Sequence, residues 1–559
     1  MMNWSSFTHL FFLLAVAAAS NAIQLALSTV DDTLSPRILP LPPLAIPEPP
    51  AVSPQLNNPT QNTGDTRRPR RRHLSTNWCQ SKFTWGNHTL PRFSTCNLTA
   101  PITVGATTSL TLSSAPINVD NNPTSNAIIS GLGTTRLFAV YGNLVITDLV
   151  LEQGLSNAGS AMFISVTAPN PPGSVHLIRT LVQNCVANSH YGGGAYLANG
   201  ATLILDGSTF QSNTAAMYGG AIMAHLGSQI VLATGTMSVV KDNKASRGGG
   251  LYCESPRSSL NISGANTQLV VSGNSATDQV SGGGIFVRGS ASLTIDSGGN
   301  LSVSGNKANG LGGGIYVGPA SLTIDSGGKL FVSGNNATAA GGLFLNSAMF
   351  TMRDLGSQLL LSGNRASSYG GNAIFKGTNT DLEHTLSDGA LMIVKDGYAG
   401  PGAGSFAGGI AIQSLNMILN RATIIIQRNK AHTVGGGLTV VYGAMLRVSN
   451  ESSVSVEYNT VSALGAGMAI LSASVLTVNS GSTFSVYNNT ISLTSSGGGI
   501  LVEASKVTVS GQTTEMRLSG NVAGDGKAYI PGLGGGNFCM KLKSVMVVDD
   551  GARLIIQDG

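Results

Sequence analysis

The sequence predicts an all-β fold: a right-handed parallel β-helix built as a single-stranded solenoid. It should have about twelve or more coils of ~30 residues, with three short strands per coil. Three observations predict this. Residues 290–308 (SASLTIDSGGNLSVSGNKA) return at 319–337 (PASLTIDSGGKLFVSGNNA), an offset of 29 residues with 15 of 19 positions identical. An Asn recurs through the chain at steps of 29 to 33 residues. Between these Asn residues, short apolar runs alternate with a period of two and are separated by Gly-rich turns.

The recurring positions are Asn184, Asn213, Asn243, Asn274, Asn306, Asn335, Asn364, Asn429, Asn459, Asn489 and Asn521, with Asp396 read as filling the gap between Asn364 and Asn429. Within one period, Ile315 and Val317, Leu322 and Ile324, and Leu330 and Val332 each place two apolar side chains on one face of a strand. Turn residues separate the pairs: Gly318-Pro319, Asp325-Ser-Gly-Gly328 and Ser333-Gly-Asn335. One coil cannot bury these faces alone, whereas stacked coils pair each strand with its counterpart ~4.8 Å away. The repeated Asn then stacks on itself, and its amide bonds from coil to coil as a structural ladder. Each bond left unmade at such a buried corner costs ~1–3 kcal/mol.

Composition agrees with a repeat array. Gly numbers 72 residues, charged residues make up 10% and apolar residues 42%, enough to fill a core with strands and tight turns. The net charge of +5 is matched by one cluster, Arg67, Arg68, Arg70, Arg71 and Arg72, so the folded part is nearly neutral. No nucleic-acid surface is expected from such a balance.

Taken in chain order, residues 1–22 read as a signal peptide. Leu10–Ala19 is an apolar run too short to span a membrane, and cleavage is expected after Ala22. The run lacks a preceding Lys or Arg, and the alternative is an N-terminal anchor. No later stretch is apolar enough for a transmembrane helix. Residues 23–75 read as a Pro-rich, basic, disordered linker or pro-segment. Within it, Arg68-Pro-Arg70-Arg71 is similar to sites cut by furin-like proteases, the alternative being a solvated basic spacer.

Residues 76–110 read as an N-terminal cap in which Cys79 and Cys96 either close a short disulfide loop or remain unrelated thiols. The five cysteines leave at least one free or paired between chains. Residues 111–559 are the repeats, and they run into the last residues, which predicts that the array continues beyond Gly559 or is covered by a partner. N-x-S/T triplets begin at Asn87, Asn97, Asn261, Asn300, Asn336, Asn450 and Asn488 and suit a secreted glycoprotein of a eukaryotic host.

Phe210-Gln-Ser-Asn213 followed by Gly219-Gly-Ala-Ile222 resembles the paired F-x-x-N and G-G-A-I motifs of chlamydial polymorphic outer-membrane proteins. In other coils Val, Leu or Ile stands for the Phe, and Gly for the Ala, as in Gly312-Gly-Gly-Ile315. Ile128-Ile-Ser-Gly-Leu-Gly133 and Leu149-Val-Leu-Glu-Gln-Gly154 are similar to the first coils of such chains. The resemblance covers roughly residues 100–559 and implies a pectin-lyase-like β-helix displayed at a cell surface. The membrane barrel that ends the bacterial proteins has no counterpart in this sequence.

Pectinases on this fold would require an N-T-D, a paired Asp motif and a G-H-G in order. No G-H-G occurs, and Asp549-Asp550 stands alone. Asp296 and Asp325 share a phase in the repeat, with Asp206 in a comparable Leu-x-Leu-Asp turn; stacked a coil apart, two such carboxylates either share calcium or begin the Asp-Ser-Gly-Gly turn, and the turn is favoured. The eight histidines show no i,i+4 pair. No catalytic, metal or cofactor residue is assigned. The expected function is a secreted or cell-surface scaffold for adhesion or recognition, with glycans or wall components as partners. The alternatives are a polysaccharide lyase or hydrolase, and the ectodomain of a larger membrane-anchored protein.

Overall fold

The computed structural model describes residues 72–74, 79, 83, 85–114, 126–167, 169–378, 381–402, 405–492, 497–523 and 536–558. The signal peptide and, apart from residues 72–74, the linker with Arg68, Arg70 and Arg71 lie outside these residues. The described chain is all β: about 14 coils stacked as a parallel solenoid, consistent with a right-handed parallel β-helix. The stack is ~65 Å long at ~4.8 Å per coil.

One coil shows how the local sequence makes the turn. Ile315–Val317, Ser321–Ile324, Lys329–Ser333 and Asn336–Ala339 follow one another and belong to four different sheets. Among the described residues these first to fourth sheets hold 15, 16, 17 and 13 strands. The fourth strand, usually two residues long, adds to the three that the apolar alternation reveals. Its brevity explains the difference, because two residues leave no alternation to read.

Strands pair in parallel with their equivalents one coil on, in register through the first three sheets of the central coils, as in Ile285↔Ile315, Leu293↔Leu322 and Leu301↔Leu330, while the fourth sheet shifts register between Ala337 and Ala339. Identical apolar types therefore stack in columns. Leu293, Leu322, Leu301, Leu330, Val303 and Val332 are all buried, which removes both strand faces of the core from water. The array reaches back into the stretch read as a cap. Gly86–Leu90 pairs with Leu110–Ser114, and Arg72–Leu74, at the end of the stretch read as a disordered linker, is a strand paired with Ser94–Cys96. A disulfide joins Cys79 and Cys96, whose Cα atoms are 6.0 Å apart.

The Gly-Gly pairs have a steric reason. Gly219 has φ +64°, a backbone angle that L side chains rarely adopt. A Cβ on Gly220 would stand 2.1 Å from the carbonyl oxygen of Gly249 in the next coil. Here the coils touch backbone to backbone.

Candidate functional site

The Asn residues form the ladder's geometry. From Asn213 through Asn243, Asn274, Asn306 and Asn335 to Asn364, each Nδ2 donates to the next Oδ1 at 2.9–3.0 Å. Asn429, Asn459, Asn489 and Asn521 continue it at 2.8–3.0 Å. Within each run every Oδ1 after the first also accepts the backbone N–H of the preceding Asn, and Nδ2 reaches a carbonyl of the previous coil, as Asn306 does to Val271 at 3.1 Å. These amides are buried and fully committed to one another, so they offer nothing to a ligand.

Two expected members are displaced. Asn184 is exposed with φ +53°, and the neighbouring Cys185 occupies the ladder position, its N–H donating to Asn213 Oδ1 at 3.0 Å. The 29-residue step from Asn184 to Asn213 hides a one-residue phase error. Asp396 is likewise one residue early, at φ +56°, and its exposed carboxylate pairs with Arg428. Gly397 holds the ladder position and has no side chain to bond with. Asn372 fills the gap from another corner of the coil, accepting from Asn364 at 2.8 Å and donating to Asn429 at 2.9 Å. Asn537 plays the same part after Asn521, at 2.8 Å.

The aspartates divide into ordinary local roles. Arg353 holds Asp325 at 2.8 Å, and His176 lies 3.6 Å from Asp206. Asp296 closes its turn through a 2.7 Å bond from Gly299 N to its carbonyl. Among the described residues no group of three or more His, Cys, Asp or Glu could hold a metal ion. Of the sequon residues, Asn87, Asn336, Asn450 and Asn488 are exposed, while Asn97, Asn261 and Asn300 are half-buried.

The richest outward chemistry lies on the first sheet. Its strands point alternate residues away from the core, and these stack as Phe163, Tyr196, Met223, Tyr252, Phe286, Tyr316 and Phe344 on successive coils. Tyr252 and Phe286 lie face to face with centroids 4.6 Å apart and planes 2° apart. Tyr218, from the turn leading into the first sheet, covers Tyr252 at 4.8 Å, and Tyr191 stacks on Tyr218 at 5.2 Å. This cover buries the middle of the column.

The early end is open: Arg136, Tyr141, Phe163, Tyr191 and Tyr196 are half-buried. The Arg136 guanidinium lies 5.1 Å over the Phe163 ring, and Tyr141 meets that ring edge-on at 6.2 Å.

A polar row runs beside the rings, two residues further along each strand. Tyr196 Oη is 3.3 Å from His225 Nδ1, Tyr252 Oη donates to Glu254 at 3.1 Å, and Asn346 donates to Tyr316 Oη at 2.7 Å. Burial pushes Tyr196 and Tyr316 up to about 12 and holds His225 below its ordinary value. Both phenols are therefore neutral at physiological pH. Burial also lowers Arg136 and Lys376. The open end thus combines half-exposed ring faces with hydroxyl, imidazole and guanidinium groups, the chemistry that grips the apolar face and the hydroxyls of a sugar.

The apolar alternation drew attention to inward residues, so this outward column was missed. The signal is present: an aromatic follows the first inward residue in Ala195-Tyr-Leu197, Leu251-Tyr-Cys253, Ile285-Phe-Val287 and Ile315-Tyr-Val317. No protein-family model matches the chain, and no curated protein is similar to it.

Proposed function

We propose that the protein is a secreted or cell-surface β-helix scaffold that recognises glycans without cleaving them. The observation that carries this reading is the half-exposed aromatic end of the outward column, at Tyr141, Phe163, Tyr191 and Tyr196, beside Arg136 and His225. Flat rings mounted on a rigid sheet need no ordering when a ligand arrives, which preserves binding energy. The sequons and the N-terminal apolar run support an extracellular site. The F-x-x-N and G-G-A-I motifs support a surface-display architecture similar to the chlamydial proteins. Hydrolysis normally requires two carboxylates flanking the scissile bond; the aromatic column carries Glu254, which is buried beside Tyr252.

The test is to incubate the purified full chain with a panel of wall and matrix polysaccharides. Co-sedimentation and new reducing or unsaturated ends are both scored. Retention without cleavage, weakened about tenfold or more by Phe163→Ala or Tyr196→Ala, is the expected result. New chain ends would overturn the non-catalytic reading, and no retention on any polysaccharide would overturn glycan recognition.

A further inference from the structure

The fourth sheet carries a regularity that its short strands conceal. Its outward residue on successive coils is Lys244, Ser275, Lys307, Asn336, Arg365, Tyr398 and Lys430, each paired in register with the next. A cation and an uncharged residue capable of hydrogen bonding alternate without a break over seven coils. All four cations are exposed. The Arg365 guanidinium sits 5.9 Å over the Tyr398 ring.

The surroundings reinforce the sign. The last residue of the third sheet, the ladder corner and the turn after the fourth sheet add Lys241, Arg247, Lys395 and Arg428 across these coils. The carboxylates there are Asp242, Asp278 and Asp396, and Arg247 and Arg428 already hold the last two at 2.5 and 2.9 Å. A basic track therefore lies on a chain whose folded part is nearly neutral overall.

The spacing limits what fits. Alternate coils place cations ~9.6 Å apart, and the four span ~29 Å in a straight line. A DNA duplex carries one charge per ~1.7 Å of axis, far denser than this row. A linear polysaccharide with one carboxylate or sulfate per disaccharide has charges about two sugar rings apart. Its hydroxyls between those charges would face Ser275, Asn336 and Tyr398. We propose that the fourth sheet is a binding track for an extended acidic polysaccharide lying along the solenoid axis. The proposal rests on the glycan-recognition reading and uses a different face from the aromatic end.

The experiment compares four full-length proteins, each also carrying Asn336→Gln so that no glycan at that sequon covers the track. One has no further change. The second is the track variant, Lys244→Gln, Lys307→Gln, Arg365→Gln and Lys430→Gln. The third is a charge-matched control, Arg257→Gln, Arg447→Gln, Lys506→Gln and Arg517→Gln, at exposed sites elsewhere. The fourth is Phe163→Ala. Affinity is measured at several salt concentrations for hyaluronan (one carboxylate per disaccharide), κ-carrageenan (one sulfate per disaccharide), neutral xylan and duplex DNA, with unchanged melting temperature as the folding check.

The track variant should lose tenfold or more in affinity for hyaluronan or κ-carrageenan and show a shallower salt dependence. The control should retain both, and xylan binding should not respond to the track. Equal loss in track and control variants, or no loss in either, overturns the track. Track-dependent binding that is tighter for DNA than for both acidic polysaccharides overturns the polysaccharide assignment. Loss of xylan binding in Phe163→Ala with no track effect leaves glycan recognition standing and removes the track alone. Absence of binding to every polysaccharide removes both.

Discussion

At the scale of single residues, the buried amide of Asn306 shows how much one side chain can hold. It receives bonds from Asn274, donates to Asn335 and caps carbonyls of Val271 and Ser304. Asn306→Ala should cost about 2–4 kcal/mol, because several buried partners are left unsatisfied together. The midpoint of urea unfolding measures it. Asn184→Ala, at an exposed corner, should change stability by less than ~0.5 kcal/mol.

His384 is the opposite case. It is buried between Phe350 and Phe375, its Nε2–H donates to Ala348 O at 2.9 Å, and its Nδ1 has no partner. Desolvation pushes its pKa down to about 4 from 6.5. The unfolded chain therefore takes up the proton first as pH falls. The stability of neutral, buried His384 is complete above pH ~6.5 and declines toward pH ~4, by about 3 kcal/mol in all. His384→Met should flatten that part of the stability–pH profile. Burial likewise pushes the Cys185 and Cys253 thiols up to about 12. Neither should react with a thiol reagent in the native protein, and both should label after unfolding.

At the scale of elements, the ladder is a property of the corner rather than of any one sequence position. Where Gly397 removes an amide, Asn372 supplies one from the start of the first-sheet strand. A Cβ at Gly397 would stand 2.3 Å from both Asn372 Nδ2 and the Gly408 carbonyl. Gly397→Ala should therefore destabilise by at least ~1–3 kcal/mol, measured by the same urea titration.

The period, the inward columns at Leu322 and Leu330 and the Gly-Gly contacts were legible because each repeats every coil. Asn184, Asp396 and Asn372 were not. A one-residue shift leaves the spacing nearly unchanged, and a substitute arriving from a different corner has no period at all. The fourth strand escaped for a related reason: two residues carry one outward and one inward side chain, as in Lys307-Ala308, and one pair cannot display alternation. The clue was the Ala two places after most ladder Asn residues, as in Asn243-Lys-Ala245, Asn306-Lys-Ala308 and Asn429-Lys-Ala431, with Val461 and Ile491 as larger apolar stand-ins.

At the scale of the whole molecule, each coil touches chiefly its two neighbours, so stability is a sum of coil and interface contributions. Damage should stay local. In Asn306→Ala, amide exchange should accelerate most in the coils carrying Asn274, Asn306 and Asn335 and little near Asn489.

The parallel pairing of four sheets also decides how the protein answers tension. Its interstrand hydrogen bonds point along the solenoid axis, so a pull at the two ends peels one coil from the stack before loading the next. A coil of about thirty residues releases ~100 Å of chain when extended. A single molecule stretched end to end should yield in a sawtooth of steps near that length, each at modest force, and so behave as a shock absorber that lengthens in stages.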